Sequence, residues 1–313
     1  MTQTVFDQPP IEKMLLRPVP SLLGARAGDL PDIGPGSIAL AGVFCDHFGD
    51  GAPGGRFSTR QVRYAQWPAF GGTSNSCQVL VDVGDLNVYP LDARKTAESL
   101  LSQAHSIRDT GAKCLFVSGD YSNTPPLFSG SMSAIPQGRR GFIRISRSAG
   151  MCAPLSSALL QPRYCSTQAI VGDLPALNPW LLLLTSISQP KQDMQALRGC
   201  MDHVIDLTET GGESGSRFQA AVDSMAEKCD AVFLSVDVDA LSSGCVGSSR
   251  ARCYEGIKLD ALSIIIAGIA ALPLIAGDLT GFVPALGATE RQGSAVVSSL
   301  LEAMVQAMQR VSK

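Results

Sequence analysis

Two aspartates at the end of a candidate strand are the residues best placed to do chemistry in this chain. The apolar run Ala231-Val232-Phe233-Leu234-Ser235-Val236 reads as a buried strand, and Asp237 and Asp239 follow it at alternate positions. Alternation puts both carboxylates on one face of the strand end. Such a pair can hold a divalent cation. Without one, the two charges repel and raise one of the two pKa values, unless another cation stands between them. Other chemistries lack their mechanical parts: there is no G-x-S-x-G elbow, no phosphate-cradling G-x-x-x-x-G-K-[ST] loop and no G-x-G-x-x-G turn. Only three histidines are present. His47 lies in a loop after the first strand, His105 sits inside an amphipathic helix and His203 opens a later strand; His47 alone is placed near the rim where strand ends meet.

The elements that must position these residues alternate in type. Short apolar runs at 38–44, 78–83, 113–118, 141–145, 180–185, 203–207, 231–236 and 274–279 predict strands. Amphipathic segments at 92–110, 214–229, 259–271 and 294–311 predict helices. The clearest of these places Ala93, Ala97, Leu100, Leu101, Ala104 and Ile107 at steps of three and four and ends at Gly111. Strands interleaved with helices predict βαβ units on a parallel sheet. Residues 1–36 are rich in Pro and Gly and read as an N-terminal arm, and 37–313 as a single domain without internal repeat or long linker.

Composition narrows the function classes. With 313 residues, 45% hydrophobic and 17% charged, the chain can bury a large core. A net charge of −3 and no basic run interleaved with aromatics argue against a nucleic-acid partner. Nine cysteines without C-x-x-C spacing, and a polar start at Thr2-Gln3-Thr4, fit reduced thiols and a cytoplasmic location. The apolar stretch at 262–276 is interrupted by Ser263, Gly268 and Pro273 and is too short for a membrane span. Cys45 and Cys165 fall near the expected site, but neither has a histidine beside it in sequence, and both read as structural thiols.

Three segments in order resemble the arginase/agmatinase (ureohydrolase) superfamily. Gly42-Val43-Phe44-Cys45-Asp46 and the turn Pro53-Gly54-Gly55-Arg56-Phe57 are similar to the G-x-P-x-D strand end and the P-G-A-R-x-G-P turn of that family. Val81-Asp82-Val83-Gly84-Asp85 and Gly119-Asp120-Tyr121-Ser122 are similar to its D-x-G-D and G-G-D-H-S segments, and Ser235-Val236-Asp237-Val238-Asp239-Ala240-Leu241 to S-x-D-x-D-x-L-D-P. The resemblance extends from about residue 37 to the C-terminus. It implies a three-layer α/β/α sandwich on a mostly parallel sheet, with the site at the carboxyl ends of the strands.

The resemblance also implies what is missing. Family members hold two Mn²⁺ ions with about six His and Asp ligands and use a bridging hydroxide to attack a guanidinium or amidine carbon. Here Tyr121 stands at the G-G-D-H-S histidine. The three ligand positions of the D-A-H-x-D strand end match Ser146, Ser148 and Gly150. Asp237 and Asp239 are the ligands that remain. Two further positions are altered: Ser166 matches the histidine after an R-Y-S segment, and Gly281 matches the substrate-contacting glutamate of D-x-x-E.

The expectation is therefore an inactive ureohydrolase homologue with a degenerate manganese site and no cofactor, acting as a regulatory, ligand-binding or structural protein. An active C–N hydrolase with a reduced or unusual Mn site remains the alternative, as do a lone metal at Asp237 and Asp239 and metal-free chemistry with Tyr121 and an aspartate as acid and base. On the strand at 141–145, Arg144 shares a face with Ser146 and Ser148. Arg144 or Arg147 is the expected internal counter-ion for the two aspartates, against the simpler reading of an arginine that reaches solvent. The resemblance implies a homo-oligomer, trimer or hexamer, and an active paralogue as a second candidate partner.

Overall fold

The structure is a computed structural model, and its described residues are 25–46, 54–64, 80–147, 179–186, 201–208, 212–243, 245–246, 256–284 and 290–310. Among the described residues nine strands form one sheet: β1 (Arg26–Ala27), β2 (Ile38–Val43), β3 (Leu80–Leu86), β4 (Lys113–Ser118), β5 (Arg140–Ser146), β6 (Trp180–Thr185), β7 (His203–Asp206), β8 (Ala231–Asp237) and β9 (Leu274–Thr280). Their order across the sheet is β1-β3-β2-β4-β9-β8-β5-β6-β7. Every pairing is parallel. The continuous apolar runs seen in the sequence are explained by this arrangement, because strands of an all-parallel sheet are buried on both faces. Residues 26–27 belong to the stretch read as an arm, and they add the edge strand beside β3.

Helices α1 (Ser58–Tyr64), α2 (Ala93–Asp109), α3 (Thr124–Met132), α4 (Gly212–Lys228), α5 (Leu259–Gly268) and α6 (Glu290–Gln309) cover the sheet. One face packs Phe116, Phe142, Leu183 and Phe233 against Leu100, Ala104 and Ile107 of α2 and Leu127, Phe128 and Met132 of α3. The other packs Leu115, Ile143, Leu182 and Leu234 against Val62 of α1, Met225 of α4, Ile266 of α5 and Met304 of α6. The result is the three-layer α/β/α sandwich expected from the alternation of elements.

Local chemistry sets several boundaries. The Asp92 side chain accepts from the Lys95 amide at 2.9 Å and caps α2, which gives way to Gly111 at φ 84°. Helix α5 stops at Gly268, short of the predicted 271, ahead of Pro273. Under the site, Phe128 of α3 stands edge-on to Phe142 (5.3 Å) and Phe233 (5.7 Å), while Phe142 and Phe233 stack at 5.9 Å. This aromatic cluster lies two residues before Arg144 on β5 and Ser235 on β8, so it forms an apolar floor beneath those side chains.

Candidate functional site

In register, Arg144 of β5 pairs with Ser235 of β8, and Ser235 with Asp278 of β9. The three therefore form one row across adjacent strands, on the face that carries α2 and α3. One step further along β8 and β9, Asp237 pairs with Thr280. All five side chains are buried.

The two sequence-marked aspartates are held differently. Asp237 ends β8, and its Oδ1 accepts the Asp239 amide at 2.8 Å, which folds Val238–Ala240 into a single 3₁₀ turn and buries Asp239. Arg144 reaches Asp237 from the neighbouring strand: its Nη2 lies 3.4 Å from Oδ2, and its Nη1 donates to Ser235 Oγ at 3.3 Å. Asp239 takes a hydrogen bond at Oδ2 from the Tyr121 hydroxyl. The Arg144 guanidinium also lies 5.5 Å from the centre of the Tyr121 ring, so one cation and one phenol link both carboxylates.

The turn that carries Tyr121 over the site is fixed by its own polar groups. Asp120 Oδ1 accepts the Ser122 amide at 2.9 Å, and Ser118 Oγ accepts from Asn123 Nδ2 at 2.8 Å. The turn ahead of α1 packs against the same strand end. Asp46 Oδ2 accepts the amides of Gly54 (2.7 Å) and Arg56 (3.2 Å), and Gly55 packs backbone to backbone against Gly119.

Asp278 is the buried carboxylate of the candidate site that sequence reasoning passed over. It is fully buried, and burial pushes its carboxyl up to about 6; Thr124 and Ser235 beside it and the charge of Arg144 pull the other way without offsetting burial. Neither hydroxyl forms a hydrogen bond of good geometry with it. The signal was available in its place at the head of the D-x-x-E-like segment, on an apolar strand where a charge needs a reason.

The remaining candidates divide. Ser146 ends β5, buried, and its carbonyl accepts the Ser186 amide at 3.0 Å. Gly281 follows β9 at φ 80°, and a Cβ there would stand 2.5 Å from Asp237 Oδ1, so a glutamate does not fit this backbone. Arg147 lies one residue beyond β5 and is half-buried; the ion pair with Asp237 is made by Arg144. Ser148, Gly150, Ser166, His47 and Cys165 lie outside the described residues. His105 Nδ1 meets Ser133 Oγ at 2.7 Å on the outer side of α2, and His203 lies against Trp180 at the amino end of β7, ring centres 5.0 Å apart and planes tilted by 36°. Neither is at the strand-end site. Cys45 is buried.

A manganese pair needs several neutral or anionic donors converging on two points. Among the described residues no three His, Cys, Asp or Glu side chains come together in that way. A phenol that donates to one carboxylate and a guanidinium against the other fit a metal-free hydrogen-bond network, and these residues do not fit two Mn²⁺ ions.

A second buried cluster is structural. Arg63 of α1 makes a fork to Asp82 (Nε–Oδ2 and Nη2–Oδ1, both 3.0 Å) and reaches Asp85 Oδ1 at 2.6 Å. Burial disfavours its charge, but the two carboxylates outweigh that and hold the guanidinium above its usual range.

The fold is shared with solved structures. Among solved structures, formimidoylglutamase from Bacillus subtilis subsp. subtilis str. 168 superposes with a TM-score of 0.78 at 16% identity, covering 96% of this chain and 98% of that one. Proclavaminate amidino hydrolase from Streptomyces clavuligerus gives 0.76 at 16%, covering 94% and 98%. Agmatine ureohydrolase of Thermoplasma volcanium gives 0.72 at 13%, covering 95% and 97%. At these identities the likeness is one of fold. A family model matches residues 36–145 and 185–306, from β2 through α6. By that match, which spans the strands carrying Arg144, Asp237 and Asp278, the chain belongs to the arginase family.

Proposed function

We propose that this chain is a catalytically inactive member of the arginase family, retained as a ligand-binding, regulatory or structural protein without a binuclear manganese cluster. One observation carries the reading: the two surviving carboxylates, Asp237 and Asp239, are already engaged by Arg144 and Tyr121, side chains that cannot serve as imidazole ligands. The family reaction requires a hydroxide made nucleophilic by two metals, and nothing among the described residues lowers the pKa of water in their place. Gly281 removes the position at which the resemblance expects a glutamate for substrate, and the close approach of Asp237 leaves no room for one. Self-association is the partner expected from the family resemblance, with an active relative as the second candidate. No helix among the described residues is long and apolar enough to cross a membrane.

The test is metal analysis of the purified protein by mass spectrometry, before and after incubation with excess Mn²⁺, with assays for urea release from arginine and agmatine. Neither stoichiometric metal nor urea is expected. Close to two ions per chain together with urea release would overturn the proposal and restore an active metal-dependent amidinohydrolase.

A further inference from the structure

We propose that Arg144 is a built-in cation at the strand ends, there to neutralise the buried carboxylates Asp237, Asp239 and Asp278. The proposal rests on the inactive reading above, because a site supplied with its positive charge by metal would have no use for this arginine.

The argument starts from charge. Asp237, Asp239 and Asp278 are 3%, 2% and 0% exposed and sit on or just beyond two adjacent strands, on one face of the sheet. Buried carboxylates this close together are costly unless a cation or a proton compensates them. Arg144 is itself only 3% exposed, between Ile143 and Ile145 on a strand buried along its whole length. That burial rules out the simpler reading of an arginine on its way to solvent.

Its place is central to the three acids. The register row Arg144–Ser235–Asp278 puts it one strand from Ser235 and two from Asp278, while its head group extends along β8 to Asp237 at 3.4 Å. Ser235 Oγ, at 3.3 Å from Nη1, stands between the arginine and Asp278 in that row. Asp239 is reached indirectly, through the Tyr121 hydroxyl and the ring that lies over the guanidinium. A planar, permanently charged group suits this role better than an ammonium, because it can face a carboxylate, a hydroxyl and an aromatic ring together.

The experiment compares thermal unfolding of the full chain with that of Arg144→Met, which keeps length and apolar bulk and removes the charge, and with the double variant Arg144→Met/Asp237→Asn. Arg144→Met should lower Tm by about 5–8 °C, the scale for breaking a buried ion pair in a chain of this length. Adding Asp237→Asn should recover at least half of that loss, because it removes the stranded charge. If Arg144→Met does not fold, a double variant that unfolds cooperatively supports the proposal, and one equally unfolded overturns it. An Arg144→Met variant within about 2 °C of the parent also overturns it, as does a second substitution that adds loss instead of relieving it. A parallel melt of the parent with Mn²⁺ separates the two readings. A metal-dependent rise in parent Tm counts against the inactive assignment, whereas additive losses with a metal-indifferent parent count against Arg144 alone.

Discussion

Asp278 carries a burial cost that Arg144 reduces but does not remove. Its carboxyl is fully buried and pushed up to about 6 from an ordinary 3.8. The folded protein therefore binds this proton more tightly than the unfolded chain does. The sign follows by linkage: the stability that comes with the protonated form is complete below about pH 4 and is lost as pH rises towards and through about 6. Asp278→Asn should remove that loss. The variant is expected to be more stable than the parent at pH 7.5, on the order of 3 kcal/mol, and by only about 1 kcal/mol at pH 4.5. Urea denaturation at the two pH values checks this; a variant less stable than the parent at pH 7.5 would mean that the ionised carboxylate is needed by Arg144 more than burial penalises it. Asp237 differs because the Asp239 amide and Arg144 both reach it.

At the scale of elements, the site is assembled by two loops that close against each other. Gly55, in the turn ahead of α1, and Gly119, after β4, touch through their backbones: a Cβ on Gly119 would stand 2.1 Å from the Gly55 carbonyl oxygen. Backbone cannot swing aside as a long side chain can, so Gly119→Ala should cost about 2–3 kcal/mol. It should also displace the Tyr121 turn, which thermal melts and near-ultraviolet circular dichroism would both register. A melt indistinguishable from the parent would mean that the two loops part without cost. Much of this framework was legible in the sequence, since the strands at 113–118 and 180–185 coincide with β4 and β6 and the helix at 92–110 with α2 to within a residue. Helix α3 was not legible, for a physical reason: it opens Thr124-Pro125-Pro126, contains Gly130 and is buried nearly all round, so it has no polar face and no period to read. Helix α1 spans seven residues, too few to establish one. Alternation gave the face of Arg144, but the Tyr121–Asp239 contact joins residues 118 apart in sequence, and no local pattern reports it.

At the scale of the whole molecule, strand order makes folding depend on the last strand. In the sheet β9 lies between β4 and β8, joining β1–β4 on one side to β5–β8 on the other. Its pairing partners are more than a hundred residues away on β4, Cys114 opposite Ala276 and Phe116 opposite Asp278, and some forty away on β8. Without β9 two half-sheets would each expose an unpaired inner edge, and α6, which packs Leu300, Leu301 and Met304 into the core, would be lost with it. A chain ending at residue 272 is therefore expected to lose cooperative unfolding and to aggregate, since loop closure over such separations must precede the contacts that reward it. Unfolding in urea followed by tryptophan fluorescence in a Trp67→Phe background, which leaves Trp180 on β6 as the distant reporter, measures this directly. A sharp, parent-like transition at Trp180 in the shortened chain would show that β5–β8 fold as a unit of their own. The expected broad or absent transition would mean that the strand carrying Asp278 joins the two halves of the sheet as well as completing the row that contains Arg144.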